Sequence, residues 1–337
     1  MNGKGDAAMK LSKQAAEQID RLYQGRQHVD LCIGTLADGK IETIHLGPNR
    51  EEIAGALPVY PVGSICKLFT TSLLAKYLAG GTLRLEAPLS DYIPGLPEQY
   101  YPSLKKLATH SSGYGGTPFT LWTTLKMLAR MNRPDGILHV NPFHGTIREA
   151  DMLRILGEKQ LKDQVYKFEY SNFGMGVLGY ILGKTDGRGY WDAMNAFIRE
   201  ELGLENTYLG ETGMTGYDKK GNPCSCWRWG KDDIIAPAGA LISSVEDLLK
   251  FAQLHMDGTR PWLAVCHERH ADGEKTFESG LGWRLEKGAN ISWHDGAAGA
   301  YSAFVGLDRE KNTAVALAMN YAMVDTKAPA LAILNDL

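Results

Sequence analysis

Residues 61–81 read PVGSICKLFTTSLLAKYLAGG and place Ser64 three residues ahead of Lys67, where an apolar helical pattern begins. Side chains three apart are neighbours on a helix, so if Ser64 starts this one, hydroxyl and amine can meet. A serine hydroxyl is a weak nucleophile until a base takes its proton, and lysine serves only when burial or nearby positive charge lowers its pKa. The backbone N–H groups of a helix start favour a developing negative charge. Leu68, Phe69, Leu73, Leu74 and Tyr77 would bury such a helix, and Gly80-Gly81 would end it. The pair alone decides nothing. Ser-x-x-Lys arises by chance in most chains of this length, and a capping serine ahead of an exposed lysine is ordinary.

Outward from this helix, the chain divides by periodicity. Residues 11–26 (LSKQAAEQIDRLYQGR) are spaced as an amphipathic helix, followed by two strand-like runs, VDLCIGTLA and KIETIHLG. From Ser64 to about Leu209 the pattern is mostly helical, broken by clusters such as YIPGLPEQYYPS and MNRPDG. PAGALISSVEDLLKFAQLH reads as a helix capped at Ser243 or Ser244. Short alternating runs follow, GLGWRLEKG, ANISWHDG, AYSAFVGLD and NTAVALAMN, and ALAILNDL closes the chain as a helix. Strands at both ends with helices between predict an α+β fold, an antiparallel sheet flanked by helices with an all-helical insertion. The expected division is a sheet domain from 1–62 and 232–337 and a mainly helical domain over 63–231, with the active site between them.

Composition narrows the function classes. The chain has 337 residues, 36 Lys+Arg against 39 Asp+Glu, and a net charge of −3, and no basic cluster is interleaved with aromatics as a phosphate backbone requires. Nucleic acid is therefore not an expected partner. No apolar run reaches the length of a membrane span. The first residues, MNGKGDAAMK, carry charge without an apolar core or cleavage site, which makes the cytoplasm the expected compartment. Five cysteines, an odd number spread thinly, argue against a disulfide framework.

Two further triplets bear on Ser64 and Lys67. Tyr170-Ser171-Asn172, in FEYSNFGMG, groups a phenol, a hydroxyl and an amide ahead of a helix, and His294-Asp295-Gly296, in ISWHDGAAGAYSAF, ends a strand where glycine admits close approach. Ser-x-x-Lys, Tyr-x-Asn and a polar-x-Gly strand, in that order, resemble the serine β-lactamase and penicillin-binding-protein superfamily. The resemblance is to its class C-like branch, with D-Ala-D-Ala carboxypeptidases, D-aminopeptidases and family VIII carboxylesterases. LKKLATHSSGYGG, LRLEAPLSDYIPGLP, PAGALISSVEDLLKF and SGLGWRL extend it over about residues 28–320.

The resemblance implies a β-lactamase/transpeptidase-like fold and an acyl-enzyme mechanism. Ser64 would attack an amide, ester or lactam carbonyl, with Lys67, Tyr170 or both taking its proton, and water would release the acyl group. Tyr170 would pass the proton to the leaving group, and Asn172 would hold Lys67 and the substrate's amide side. The oxyanion hole would be the backbone N–H groups of Ser64 and Ala297. No metal or other cofactor is called for, and the partner expected is a small molecule or short peptide.

The third triplet departs from Lys-Thr-Gly, whose lysine and hydroxyl help bind a substrate carboxylate in the family. Here His294 is largely neutral near neutral pH, and Asp295 would repel an anion if it faced the site. This moves the reading toward a D-amino-acid peptidase, amidase or carboxylesterase. The alternatives are a β-lactamase, a penicillin-binding protein or sensor, an acyltransferase, or a non-enzymatic scaffold. Asp295 pointing away from the site is an equal expectation, since strand neighbours alternate.

Other features carry less. Gly174-x-Gly176-x-x-Gly179 fits a dinucleotide pattern, but helix follows helix where a βαβ unit would be needed, so close packing is expected. Cys224-Ser-Cys226 and Cys266-His267-Glu-Arg-His270 lack partner ligands and are expected on the surface or in loops. Cys66 is expected to face the core, His110 to be structural, and Tyr114, Trp227 and Trp229 to line the cleft or serve as core or loop. No G-x-S-x-G elbow occurs.

Overall fold

The computed structural model describes residues 12–116, 125 and 136–337. The MNGKGDAAMK stretch and all of MNRPDG except Gly136 lie outside them. Among the described residues, one antiparallel sheet dominates. Its strands are β1 (Leu31–Ala37), β2 (Lys40–Leu46), β3 (Phe277–Ser279), β4 (Arg284–Glu286), β5 (Ile291–Ala298), β6 (Tyr301–Asp308) and β7 (Thr313–Met319). They lie side by side in the order β2-β1-β7-β6-β5-β4-β3. Strands from the two ends of the chain pair one place in from the β2 edge, Leu31 opposite Met319 and Cys32 opposite Ala318. Of the helices α1 (Lys13–Tyr23), α2 (Cys66–Ala79), α3 (Asn172–Asp186), α4 (Val245–Leu254) and α5 (Lys327–Asp336), α1, α4 and α5 cover the sheet, while α2 stacks Phe69 on Phe251 of α4 and packs against α3.

Side-chain alternation assigns each face its helices. In β7, Val315, Leu317 and Met319 join Ile19 and Leu22 of α1 and Ile333 and Leu334 of α5 in one core. The intervening Ala314, Ala316 and Ala318 join Leu248 and Leu249 of α4 in the other. Small residues on that second face let α4 lie close: a Cβ at Gly34 of β1 would stand 2.7 Å from Leu249 Cδ1 and 2.8 Å from Val245 Cγ1. The cap of α4 is Ser244, whose hydroxyl accepts from Asp247 N–H.

Helix α2 is buried along its first ten residues, Cys66 through Ala75, as an apolar helix without a polar face must be. It does not begin at Ser64 as the sequence spacing suggests. Gly63–Ile65 form a 3-10 turn, and Cys66 opens the α-helix, with no side-chain cap at either start. The Ser64 hydroxyl is thereby released from capping. Helix α3 is capped by Ser171, whose hydroxyl accepts from Gly174 N–H at 2.9 Å. Its glycines are the close-packing positions the sequence suggests, since a Cβ at Gly176 would meet Ile234 O at 2.4 Å and one at Gly179 would meet Pro237 Cγ at 2.1 Å.

The Cys266/His267 stretch is not on the surface: both residues are buried, and His267 joins a polar chain through the core. Cys224 is likewise buried. Ser72 Oγ donates to Leu68 O, and therefore accepts from His255 Nε2 at 3.2 Å. His255 Nδ1 then accepts from His267 Nε2 at 2.9 Å, and His267 Nδ1 accepts from Ser292 Oγ at 2.9 Å. Each ring has one donor and one acceptor role, so neutral imidazole is satisfied and a second proton has no acceptor. Burial pushes His255 down to about 3 and His267 well below its ordinary value.

Groups whose pKa falls on folding contribute stability that is complete above the unfolded value, near 6.5, and is lost as pH falls below it. Burial lowers His110 and His294 as well. Each neutral imidazole costs about 1.4 kcal/mol per pH unit below that point. Urea unfolding should show stability falling between pH 6.5 and 5, and His255→Gln/His267→Gln should remove about half of that slope. An unchanged slope would mean that these rings titrate normally in the folded chain.

Candidate active site

Three elements converge on Ser64. The turn Gly63–Ile65 packs against the end of β5, and two glycines permit it: a Cβ at Gly63, where φ is +51°, would sit 2.3 Å from Ala297 O, and one at Gly296 would sit 2.0 Å from Val62 O. Backbone touches backbone at both points, so no larger residue fits. The third element is the segment leading into α3, which brings Tyr170.

Ser64 is half-buried, whereas Lys67 is fully buried one turn into α2. Lys67 Nζ donates to Ser64 Oγ at 3.1 Å and to Ala238 O at 2.7 Å. Ala238 lies in the 3-10 turn Ala236–Ala238, and the glycine face of α3 seats that segment. Burial is the main force that pushes Lys67 down to about 7; Arg284 adds to the fall, and Cys66 and Asp295 oppose it. A large fraction of Lys67 is therefore neutral near pH 7, with a lone pair to accept a proton.

Lys67 Nζ also lies 4.7 Å from the centre of the Tyr170 ring. Burial drives the Tyr170 phenol well above its ordinary value, and the Ser64 hydroxyl and the Arg284 charge offset only part of the rise. Tyr170 therefore holds its proton at neutral pH. His110 anchors the segment that carries it: Ser171 N–H donates to His110 Nδ1 at 3.1 Å, Glu169 N–H donates to His110 O at 2.8 Å, and the His110 ring lies 4.7 Å from that of Tyr170. His110 adopts φ +59°, a left-handed conformation uncommon for histidine. Its role is positional, as the sequence suggests.

Asn172 is the first residue of α3, beside Tyr170, but no hydrogen bond joins it to Lys67 among the described residues; the amine uses Ala238 O instead. His294, Asp295, Gly296 and Ala297 lie along β5. His294 is buried, its ring 6.3 Å from that of Tyr170 and its Nδ1 donating to Asp295 O. Burial and the Arg284 charge hold it neutral. Asp295 neither stands bare in the site nor merely turns the strand. Its carboxylate pairs with the guanidinium of Arg284 on neighbouring β4.

Arg284 is the residue that motif reading misses. Its guanidinium stacks 4.8 Å from Trp293, 5.4 Å from Phe277 and 5.9 Å from Tyr170. Its stretch, SGLGWRL, is visible in the sequence, but its partner is not, because the pairing of Trp293 with Arg284 is a tertiary register. Tyr114 belongs to the core, whereas Trp227 and Trp229 are partly buried, with Trp227 against Gly299, two residues past Ala297. Cys66 faces the core as expected, its thiol pushed up to about 11 by burial. No group of three or more potential metal-ligating side chains occurs among the described residues, and no described helix is long and apolar enough to cross a membrane.

A Ser-x-x-Lys turn at the end of an antiparallel sheet, faced by a half-buried tyrosine, defines the class: Ser-x-x-Lys proteins on the transpeptidase-like fold. The beta-lactamase family model matches residues 51–335, and the chain belongs to that family. It is 24% identical over 290 residues to a beta-lactamase of Pseudomonas fluorescens, covering 79% of this chain and 72% of that protein. It is 24% identical over 330 residues to penicillin-binding protein 4 of Amycolatopsis lactamdurans, covering 86% and 80%. The fold is that of class C beta-lactamases: the Rhodobacter sphaeroides enzyme superposes with a TM-score of 0.76 at 19% identity, over 96% of this chain and 99% of that one. Family membership implies serine-hydrolase chemistry.

Proposed function

We propose that the protein is a serine hydrolase that cleaves an amide or ester through an acyl-enzyme on Ser64, of the D-amino-acid peptidase, amidase or carboxylesterase type. The observation that carries this reading is the 3.1 Å contact between Ser64 Oγ and a buried Lys67 held down to about 7. In the forward step Lys67 takes the Ser64 proton as Oγ bonds to the carbonyl carbon. The Ser64 and Ala297 N–H groups receive the oxyanion, in keeping with the close backbone approach at Gly63 and Gly296. Tyr170, still protonated, gives its proton to the leaving group and regains one from Lys67. Water then repeats the sequence on the acyl-enzyme, with Asn172 beside the substrate's amide side. Substrates are small molecules or short peptides.

The substrate type follows from charge. With His294 neutral and Asp295 already paired, β5 offers no unpaired cation to a substrate carboxylate. A second reading, acylation by β-lactams as in a β-lactamase or penicillin-binding protein, is favoured by the Arg284 charge lying next to Tyr170. Intact-protein mass spectrometry after exposure to a fluorophosphonate and, separately, to a fluorescent penicillin tests both. Fluorophosphonate labelling mapped to Ser64 without a penicillin adduct, and without lactam hydrolysis, is expected. A stable penicillin adduct replaces the first reading with the second, and no label from either probe overturns the hydrolase.

A further inference from the structure

Arg284 and Asp295 form the charged pair nearest Tyr170, and they differ in how they are held. The Arg284 side chain is only 18% exposed and is fixed among three rings, whereas Asp295 is 51% exposed and meets it from the open side. A guanidinium is always charged and matches a carboxylate in geometry. Largely enclosed by rings, it is poorly served by water, and an anion satisfies it. Desolvation works against the Asp295 carboxylate, yet the adjoining Arg284 guanidinium holds it below its ordinary value, so it stays ionised at neutral pH.

We infer that Asp295 is a built-in anionic ligand of Arg284, occupying the position a substrate carboxylate would take, so that this pair sets the site's selection against carboxylate-bearing acyl donors. This rests on the hydrolase reading of Ser64. An incoming carboxylate must displace Asp295 or sit beside it, and like charges at close range oppose the second course. A neutral acyl donor leaves the pair intact. Selectivity of this kind works by penalising the wrong substrate rather than by improving the right one. The anion site is thus present but filled by the chain itself, and a single substitution opens it.

The test uses two aryl esters of an N-acylglycine that differ only in the leaving group, one carrying a meta-carboxylate and the other a meta-carboxamide. The quantity read is the carboxylate-to-carboxamide ratio, as kcat/KM in the active chain and as Kd in a Ser64→Ala background where no chemistry is needed. Asp295→Asn should raise both ratios at least tenfold toward the carboxylate. Adding Arg284→Gln should return them to the starting value. Rising salt should erase the gain in Asp295→Asn, a readout that stands if Arg284→Gln does not fold. A ratio unmoved by Asp295→Asn, a gain that survives loss of Arg284 or is indifferent to salt, or no binding of the carboxylate probe overturns the inference. Failure of the hydrolase reading looks different: no turnover of either ester in any variant, with the binding ratios shifting as stated.

Discussion

Ser64→Ala should leave a folded protein that neither takes a fluorophosphonate label nor turns over an ester, a loss of at least about 10⁴-fold. The fold should tolerate the change because Ser64 is half-buried and caps no helix. Lys67 keeps its 2.7 Å bond to Ala238 O when the hydroxyl is gone, so no buried donor is stranded. The stability change should therefore stay within about 1 kcal/mol. Labelling is read by intact mass, turnover by ester hydrolysis, and folding by thermal unfolding of the same sample. Activity near the original rate in the purified variant would remove Ser64 from the mechanism.

Lys67→Ala should slow acylation by about 10²–10⁴-fold, the usual worth of a positioned base. The original enzyme should gain activity as pH rises through about 7, because the amine must lose its proton to act and burial places that loss there. The residual rate of the variant should lack this rise. At this residue stability opposes function. The native state binds fewer protons here than the unfolded chain, whose lysine titrates near 10.4, so stability from this group is missing throughout the range below that value. Lys67→Met, which keeps most of the volume, should therefore unfold at a higher temperature than the original at pH 7. Retention of most activity without Lys67 would make Tyr170 the sole base; a pH profile with its rise near 10 would mean that the amine is not desolvated.

The two variants also separate roles that proximity alone confuses. Tyr170 retains its proton because burial raises it, while Lys67 sheds one because burial lowers it. The same desolvation acts in opposite directions on an acid that ionises to an anion and a base that ionises to a cation. An acid and a base thus coexist near pH 7, the amine 4.7 Å from the centre of the phenol ring.

What the sequence by itself determined was local. The alternation in NTAVALAMN and AYSAFVGLD, the serine ahead of VEDLLKF, and the all-round apolar run after Cys66 each follow from a period of two or of 3.6 residues, and they correspond to β7, β6, α4 and α2. Ser64, Lys67 and Tyr170 were singled out by the resemblance that three short motifs carry in their order, not by a period, and the fold brings the three side chains together. The 3-10 turn at Gly63–Ile65 was not, since contact with Ala297, far along the chain, sets it.

Only the tertiary structure decided what each side chain touches. The Cys266/His267 stretch looks polar and surface-bound, yet His267 finds His255 and Ser292 in the core, and that satisfied chain is what makes its burial affordable. Asn172 looks like the partner of Lys67, but the glycine face of α3 brings Ala238 O there first. Asp295 could be read as facing either way until β4 supplied Arg284. The physical reason is common to all of these. Helix and strand periods depend on neighbours a few residues away, whereas burial, pKa and ion pairing depend on groups brought together by strand register across the whole chain.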